Sequence, residues 1–196
     1  MRTLAYRLGL YVMPAILCAV LATGCKEDEE VYNTYSNLPA KFTMQNTLQA
    51  SALHNALNNM GEFCTVTITK DGKQFMFKGS GKEPSYVNIT AENDYNGFYL
   101  GLSGLIVGLP NIPEMGKDNP SVICFDLACS NCYEKYHITK PLGMQDSGYA
   151  HCSSCNRTYN LNDGGLVSSG EGGIRLYRYR VNYYPKNNNT LVVNNG

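Results

Sequence analysis

The spacing of the cysteines constrains this chain more than any other feature. Cys129-Ser130-Asn131-Cys132 and Cys152-Ser153-Ser154-Cys155 are two CxxC turns with 19 residues between them. Two such turns at that separation read as a metal site. The reason is geometric: each turn holds two thiolates at about one edge of a tetrahedron, and a facing turn supplies the opposite edge. Four soft thiolates select zinc or iron over hard cations. Zinc is the first expectation, with one iron ion or an all-cysteine 2Fe–2S cluster as the alternative. Backbone amides inside the turns, and the hydroxyls of Ser130, Ser153 and Ser154, are candidate donors to the sulfurs.

The N-terminal end gives an address. Arg2 and Arg7 form a positive n-region, and Leu8 to Leu21 is an apolar stretch too short for a membrane span, which needs about 20 residues. It closes in Leu21-Ala22-Thr23-Gly24-Cys25, which resembles a lipobox. That resemblance implies removal of residues 1–24 and acylation of Cys25, and several acyl chains on one residue anchor a protein stably to a membrane. Lys26-Glu27-Asp28-Glu29-Glu30 is a charged block that stays solvated. It resembles the export signal of some lipoproteins displayed on the outer face of the outer membrane; a plain tether on the periplasmic face is the alternative. The chain thus divides into a signal (1–24), an acylated cysteine with an acidic and polar tether (25–39), and one folded domain (40–196) with metal loops at 124–160. An exported chain meets oxidising conditions, so disulfides are the competing reading of the four cysteines.

Loss of the signal removes two arginines and leaves 14 basic against 16 acidic residues, a net charge of −2. That balance offers no electrostatic footing for nucleic acid. The chain has no Trp, 15 Tyr and 19 Gly, a bias toward β structure. The pattern agrees. Phe63 to Thr69 alternates, Lys70-Asp71-Gly72-Lys73 turns, and Gln74 to Lys78 returns as a hairpin. Ser85 to Thr90, Ser121 to Leu127 and Leu191 to Val193 read as further strands. Leu100 to Leu109 reads as a buried strand or a close-packed loop, and Pro110 to Pro120 as a long loop. One helix is expected, capped by Asn46 or Thr47, carried by Leu48, Leu53, Ala56, Leu57 and Met60, and ended by Gly61. The architecture expected is all-β, a small sandwich or barrel. Ile174 to Tyr184 alternates aromatic and basic residues and reads as a half-buried strand with a solvated basic side, or as a contact face.

Of the other cysteines, Cys18 leaves with the signal. Cys64 and Cys124 lie on expected strands, as buried small hydrophobes or as one disulfide. His137 and His151 flank the metal loops and are expected to face solvent, with a hydrogen bond near a sulfur as the alternative for His151.

The stretch from Phe125 to Val181 resembles the cluster-binding region of Rieske-type proteins, in which two loops each carry a cysteine and a histidine. The matching residues beyond the loops are Tyr159-Asn160-Leu161, Gly164-Gly165, Ser169-Gly170 and Leu176-Tyr177-Arg178-Tyr179-Arg180-Val181. The resemblance implies a Rieske-like β fold carrying a zinc-ribbon-like pair of metal loops. Cys132 and Cys155 stand where the histidines would be, and the first loop is one residue longer than Cys-x-His. A Rieske cluster depends on two histidines at one iron for its high potential, so that electron transfer does not carry over.

Three functions follow in order. The first is a non-enzymatic surface component with a closed structural metal site, binding an unidentified protein or small molecule. No nucleophile elbow, phosphate loop or HExxH motif is present. The second is electron transfer through iron. The third is thiol–disulfide exchange, placed last because neither pair is expected to open a helix in a βαβ setting.

Overall fold

A computed structural model describes residues 35–90 and 97–195. The expected signal, Cys25 and the acidic block lie outside the described residues. Among those described, thirteen strands and two short helices make an all-β fold. All strand pairing is antiparallel, in three open sheets rather than one barrel.

The largest sheet has six strands. Its centre is the hairpin of β2 (Glu62–Ile68) and β3 (Gln74–Gly79), with β4 (Ser85–Asn88) outside β3. On the other side come β5 (Leu105–Leu109), β6 (Ile123–Asp126) and the two-residue β11 (Arg178–Tyr179). The hairpin pairs Ile68 with Phe75, and its turn is closed by Thr69 Oγ1 donating to Asp71 Oδ1 at 2.6 Å. β5 and β6 are apolar without alternation because both faces of the sheet are covered. Leu105, Val107 and Cys124 enter one core, while Ile106, Ile123 and Phe125 enter another. That resolves the stretch from Leu100 to Leu109 as a turn followed by a buried strand.

The first core lies between this sheet, a helix α1 (Ser51–Asn58) and a three-stranded sheet. The latter orders β1 (Ala40–Met44), β13 (Thr190–Asn195) and β12 (Val181–Tyr184). Phe42, Phe75 and Phe77 are fully buried there, with the Phe42 and Phe75 rings edge to face at 5.1 Å. The helix is shorter than expected. Leu53, Ala56 and Leu57 are buried, each leucine worth about 2 kcal/mol. Leu48 and Met60, however, are 60% and 65% exposed and lie outside it. Asn46 caps and Thr47 opens a 3-10 turn instead, and the α-helical cap is Ala50 without a side-chain bond.

Two further expectations change. Ile174 to Tyr184 is not one strand: β11 belongs to the large sheet and β12 to the three-stranded one. Arg178 is buried and forms an ion pair with Glu114 of the long loop, so it is no solvated basic residue. The end of the expected tether is also fixed on the domain. Ser36 N donates to Arg178 O at 2.8 Å, Asn195 Nδ2 donates to the carbonyls of Ser36 and Leu38, and the Tyr35 ring lies under Arg178 and Arg180. Among the described residues no helix is long and apolar enough to cross a membrane.

The third sheet holds four short strands in the order β10 (Leu166–Ser169), β9 (Thr158–Asn160), β8 (Tyr149–His151) and β7 (Gly143–Gln145). After the Gly164-Gly165 turn β10 returns beside Tyr159, while Arg178 and Tyr179 pair with β6 of the large sheet. Ala150, Tyr159, Leu161 and Leu176 join Phe63, Ile106, Ile123 and Phe125 in the second core. Three of the four loop cysteines are part of it.

Candidate metal centre

The first metal loop follows directly from β6. Asp126 is fully buried, and its Oδ1 accepts from Ala128 N at 2.6 Å, reversing the chain just before Cys129. Its Oδ2 accepts from Leu102 N at 2.7 Å and Tyr179 Oη at 2.6 Å. Burial pushes this carboxyl above its ordinary value in spite of the three donors. The approach of Leu102 needs Gly101, where a Cβ would stand 2.2 Å from Asp126 Oδ2. Cys129 N then donates to Lys140 O at 2.8 Å, and Cys129 is the N-cap of a second helix, α2 (Ser130–Tyr136). Cys132 lies in its first turn, three residues on, so both thiols share one helix face. The expectation that neither pair opens a helix is thus corrected for the first pair. The βαβ setting of a thiol-exchange motif is still missing, because the pairing is antiparallel throughout the described strands.

The second loop joins β8 to β9. Cys152 N donates to Arg157 O and Asn156 N to Cys152 O, both at 2.9 Å, with Asn156 left-handed at φ 56°. Asparagine tolerates that conformation better than most residues. Gly170, just beyond β10, backs this turn, and a Cβ there would stand 2.8 Å from Asn156 O.

The two loops bring all four sulfurs together. Cys129 Sγ lies 3.6 Å from Cys155 Sγ, Cys132 Sγ lies 3.7 Å from Cys152 Sγ, and every pair is within 4.8 Å. A tetrahedral zinc ion with Zn–S bonds of about 2.3 Å sets its sulfurs about 3.8 Å apart. A disulfide requires about 2.0 Å. The donor set and its spacing therefore fit one ion. Two irons with bridging sulfides would hold opposite thiolate pairs further apart. Cys129 and Cys152 are fully buried, Cys132 nearly so, and Cys155 is half-buried.

The surroundings of the sulfurs are unequal. Burial and then the neighbouring sulfurs push the Cys132 thiol well up, and at Cys129 burial outweighs a hydrogen bond from Tyr159. At Cys155 burial also acts upward, but the adjacent Arg157 guanidinium and backbone draw the thiol down to about 7. Thiols ionise on binding a metal, and a divalent cation among them offsets the cost of burying their charge. Tyr159 is fully buried, with its Oη 3.1 Å from Cys129 Sγ. Asn131 Nδ2 donates to that oxygen at 2.9 Å, so the phenol proton is directed at the sulfur. Asn131 also bridges to the backbone of Ile174, tying the first loop to the segment before β11.

Other expected participants stay away. Ser130 Oγ is buried without a hydrogen-bond partner, and Ser153 and Ser154 are exposed. His137 is exposed, as expected. His151 is half-buried and bonds Thr158 Oγ1 through Nδ1 at 3.2 Å. Cys64 and Cys124 form no disulfide. Both face the first core and are paired with opposite sides of Val107, two strand spacings or about 9.5 Å apart, beyond disulfide reach. Each donates its S–H to a backbone carbonyl, and burial pushes the Cys64 thiol up to about 12. Sequence reasoning missed Asn131, Arg157, Asp126 and the sulfur contact of Tyr159. Only Tyr159 carried a signal, as the aromatic in the strand after the second loop.

No protein-family model matches this chain, and no curated protein matches it. The fold and the centre define an all-β protein with a four-cysteine group able to hold a metal ion.

Proposed function

We propose that this chain is a lipoprotein anchored through acylated Cys25 at the surface of the outer membrane, whose domain carries a structural zinc site. The domain acts as a binding or assembly component rather than as an enzyme. One observation carries the metal reading: four thiols converge within 4.8 Å, three of them buried in an apolar core. Four protein ligands close a zinc ion's coordination, which is the mark of a structural rather than a catalytic site. The lipoprotein reading rests on the lipobox-like end of the signal, and the near-neutral charge speaks for a protein or small-molecule partner over nucleic acid. A Rieske-like ancestry for the metal loops rests on the motif match from Phe125 to Val181.

Electron transfer through iron is the second reading, favoured by Tyr159. A hydroxyl donating to a ligand sulfur is one of the levers that raise the potential of iron–thiolate centres. Metal analysis and the visible spectrum of the processed full-length protein, purified anaerobically in detergent, decide between them. About one zinc per chain and no colour is the expected result. Iron with thiolate-to-iron absorption would replace zinc with the redox reading, and absence of metal with oxidised cysteines would overturn both.

A further inference from the structure

The four sulfurs differ in two respects that together define a chemical weak point. Cys155 alone is half-buried, on the exposed turn Ser153–Ser154, while Cys129, Cys132 and Cys152 are sealed in the second core. Cys129 Sγ on the other loop lies 3.6 Å from Cys155 Sγ, and the contact of Cys132 with Cys152, at 3.7 Å, also crosses between loops. Both of these contacts join different turns, within a group whose sulfurs all lie within 4.8 Å of one another.

We propose that Cys155 is an oxidation site, at which peroxide-class oxidants convert the four-cysteine centre into disulfides that join the two loops. The inference rests on the metal reading for its consequence but not for its chemistry. The Cys155 thiolate attacks one peroxide oxygen, forming Cys155–SOH and releasing hydroxide. The Cys129 thiolate then attacks the Cys155 sulfur, the S–O bond breaks, the Cys129–Cys155 bond forms, and a second hydroxide leaves. Two electrons pass from the two sulfurs to one peroxide, and protons from solvent turn the hydroxides into water. The loops then retain two thiolates, too few to close the coordination of a zinc ion. Cys132 and Cys152 follow with a second equivalent of peroxide. The product keeps α2 stapled to the β8–β9 turn, because each new bond spans the same two segments that the ion would hold. Closure needs the sulfurs to move from 3.6 Å to about 2.0 Å. The expected product of a lone CxxC pair, a bond within one turn, is not the one favoured here.

The test treats the processed full-length protein, its zinc content measured first, with one and then two equivalents of hydrogen peroxide. Zinc release is followed with a chromogenic chelator, and disulfides are mapped by mass spectrometry after non-reducing digestion. The expected result is loss of two thiols and release of the zinc with the first equivalent, with Cys129–Cys155 as the main cross-linked pair. Cys132–Cys152 appears with the second. A main product within one turn, Cys129–Cys132 or Cys152–Cys155, would overturn the proposal, and so would thiols that survive excess peroxide. Absence of zinc before treatment would overturn the structural-zinc reading alone, since the mapped bonds still decide the pairing. Cys155→Ser should slow thiol loss, and because it also removes a ligand, Cys64→Ala serves as the comparison with an intact centre.

Discussion

The two cores on either face of the six-stranded sheet are held by different means. The first is walled by strands of up to seven residues and filled with phenylalanine, leucine and valine. Buried apolar area supplies most of its cohesion. The second shares the large sheet, through Phe63, Ile106, Ile123 and Phe125, but its other wall is a sheet of three- and four-residue strands, and at its heart sit three buried thiols and a tyrosine hydroxyl. Four such strands bury little, and without a cation the thiols between them are buried polar groups that no longer join the loops. One face of the sheet therefore stands on apolar area, and the other, in the reading proposed above, on a metal cross-link between two loops.

Metal removal should break the comparison most sharply. Structural zinc contributes about 10 kcal/mol or more in small metal domains. Stripping the ion under reducing conditions should therefore open Gly143–Ser169 to amide exchange while β2, β3 and β5 stay protected. Uniform loss of protection across both cores would mean that they are one cooperative unit. The opposite lesion is Phe77→Ala, which empties a fully buried ring from the first core. It should cost about 3–5 kcal/mol in global unfolding, with zinc per folded chain unchanged.

A third prediction concerns the polar pin at the sheet edge. Burial works against ionisation of Glu114, but hydrogen bonds from Arg178 and Lys117 outweigh it and hold the carboxyl below its ordinary value. A lowered folded value gives stability that is present above the unfolded value near 4.5 and is lost as pH falls through the folded one. Glu114→Gln should cost about 3 kcal/mol at neutral pH by leaving Arg178 buried and unpaired. It should also flatten the acid limb of a thermal-unfolding profile.

Tyr159→Phe acts on the second core alone. Loss of the hydroxyl should weaken zinc retention about tenfold in a competition titration, with little change in the first core. The smallest effect on the centre is expected from Cys64→Ala and Cys124→Ala, which should leave zinc content untouched and cost about 1 kcal/mol of stability.

Legibility in the sequence divides along the same line. The β2–β3 hairpin was readable because one turn separates two β-rich runs, and the four ligands because CxxC spacing is itself a statement of geometry. β5 was ambiguous because a strand covered on both faces loses its alternation. Helix α2 was invisible: Ser130–Tyr136 has no apolar period and forms where the Asp126 turn and Cys129 deliver the chain. The burial of Arg178 was hidden as well, since its partner Glu114 lies 64 residues away in an irregular loop. Of the 15 tyrosines, Tyr159 is marked by its place after the second loop, but that place does not show that it reaches a sulfur.

X-ray absorption at the metal edge of the intact, anaerobically purified protein tests the central claim most directly. Four sulfur neighbours at about 2.3 Å, with no light-atom ligand and no second metal in range, are predicted. Fewer than four sulfurs, an oxygen or nitrogen ligand, or a metal–metal distance would contradict a closed single-ion centre between these loops.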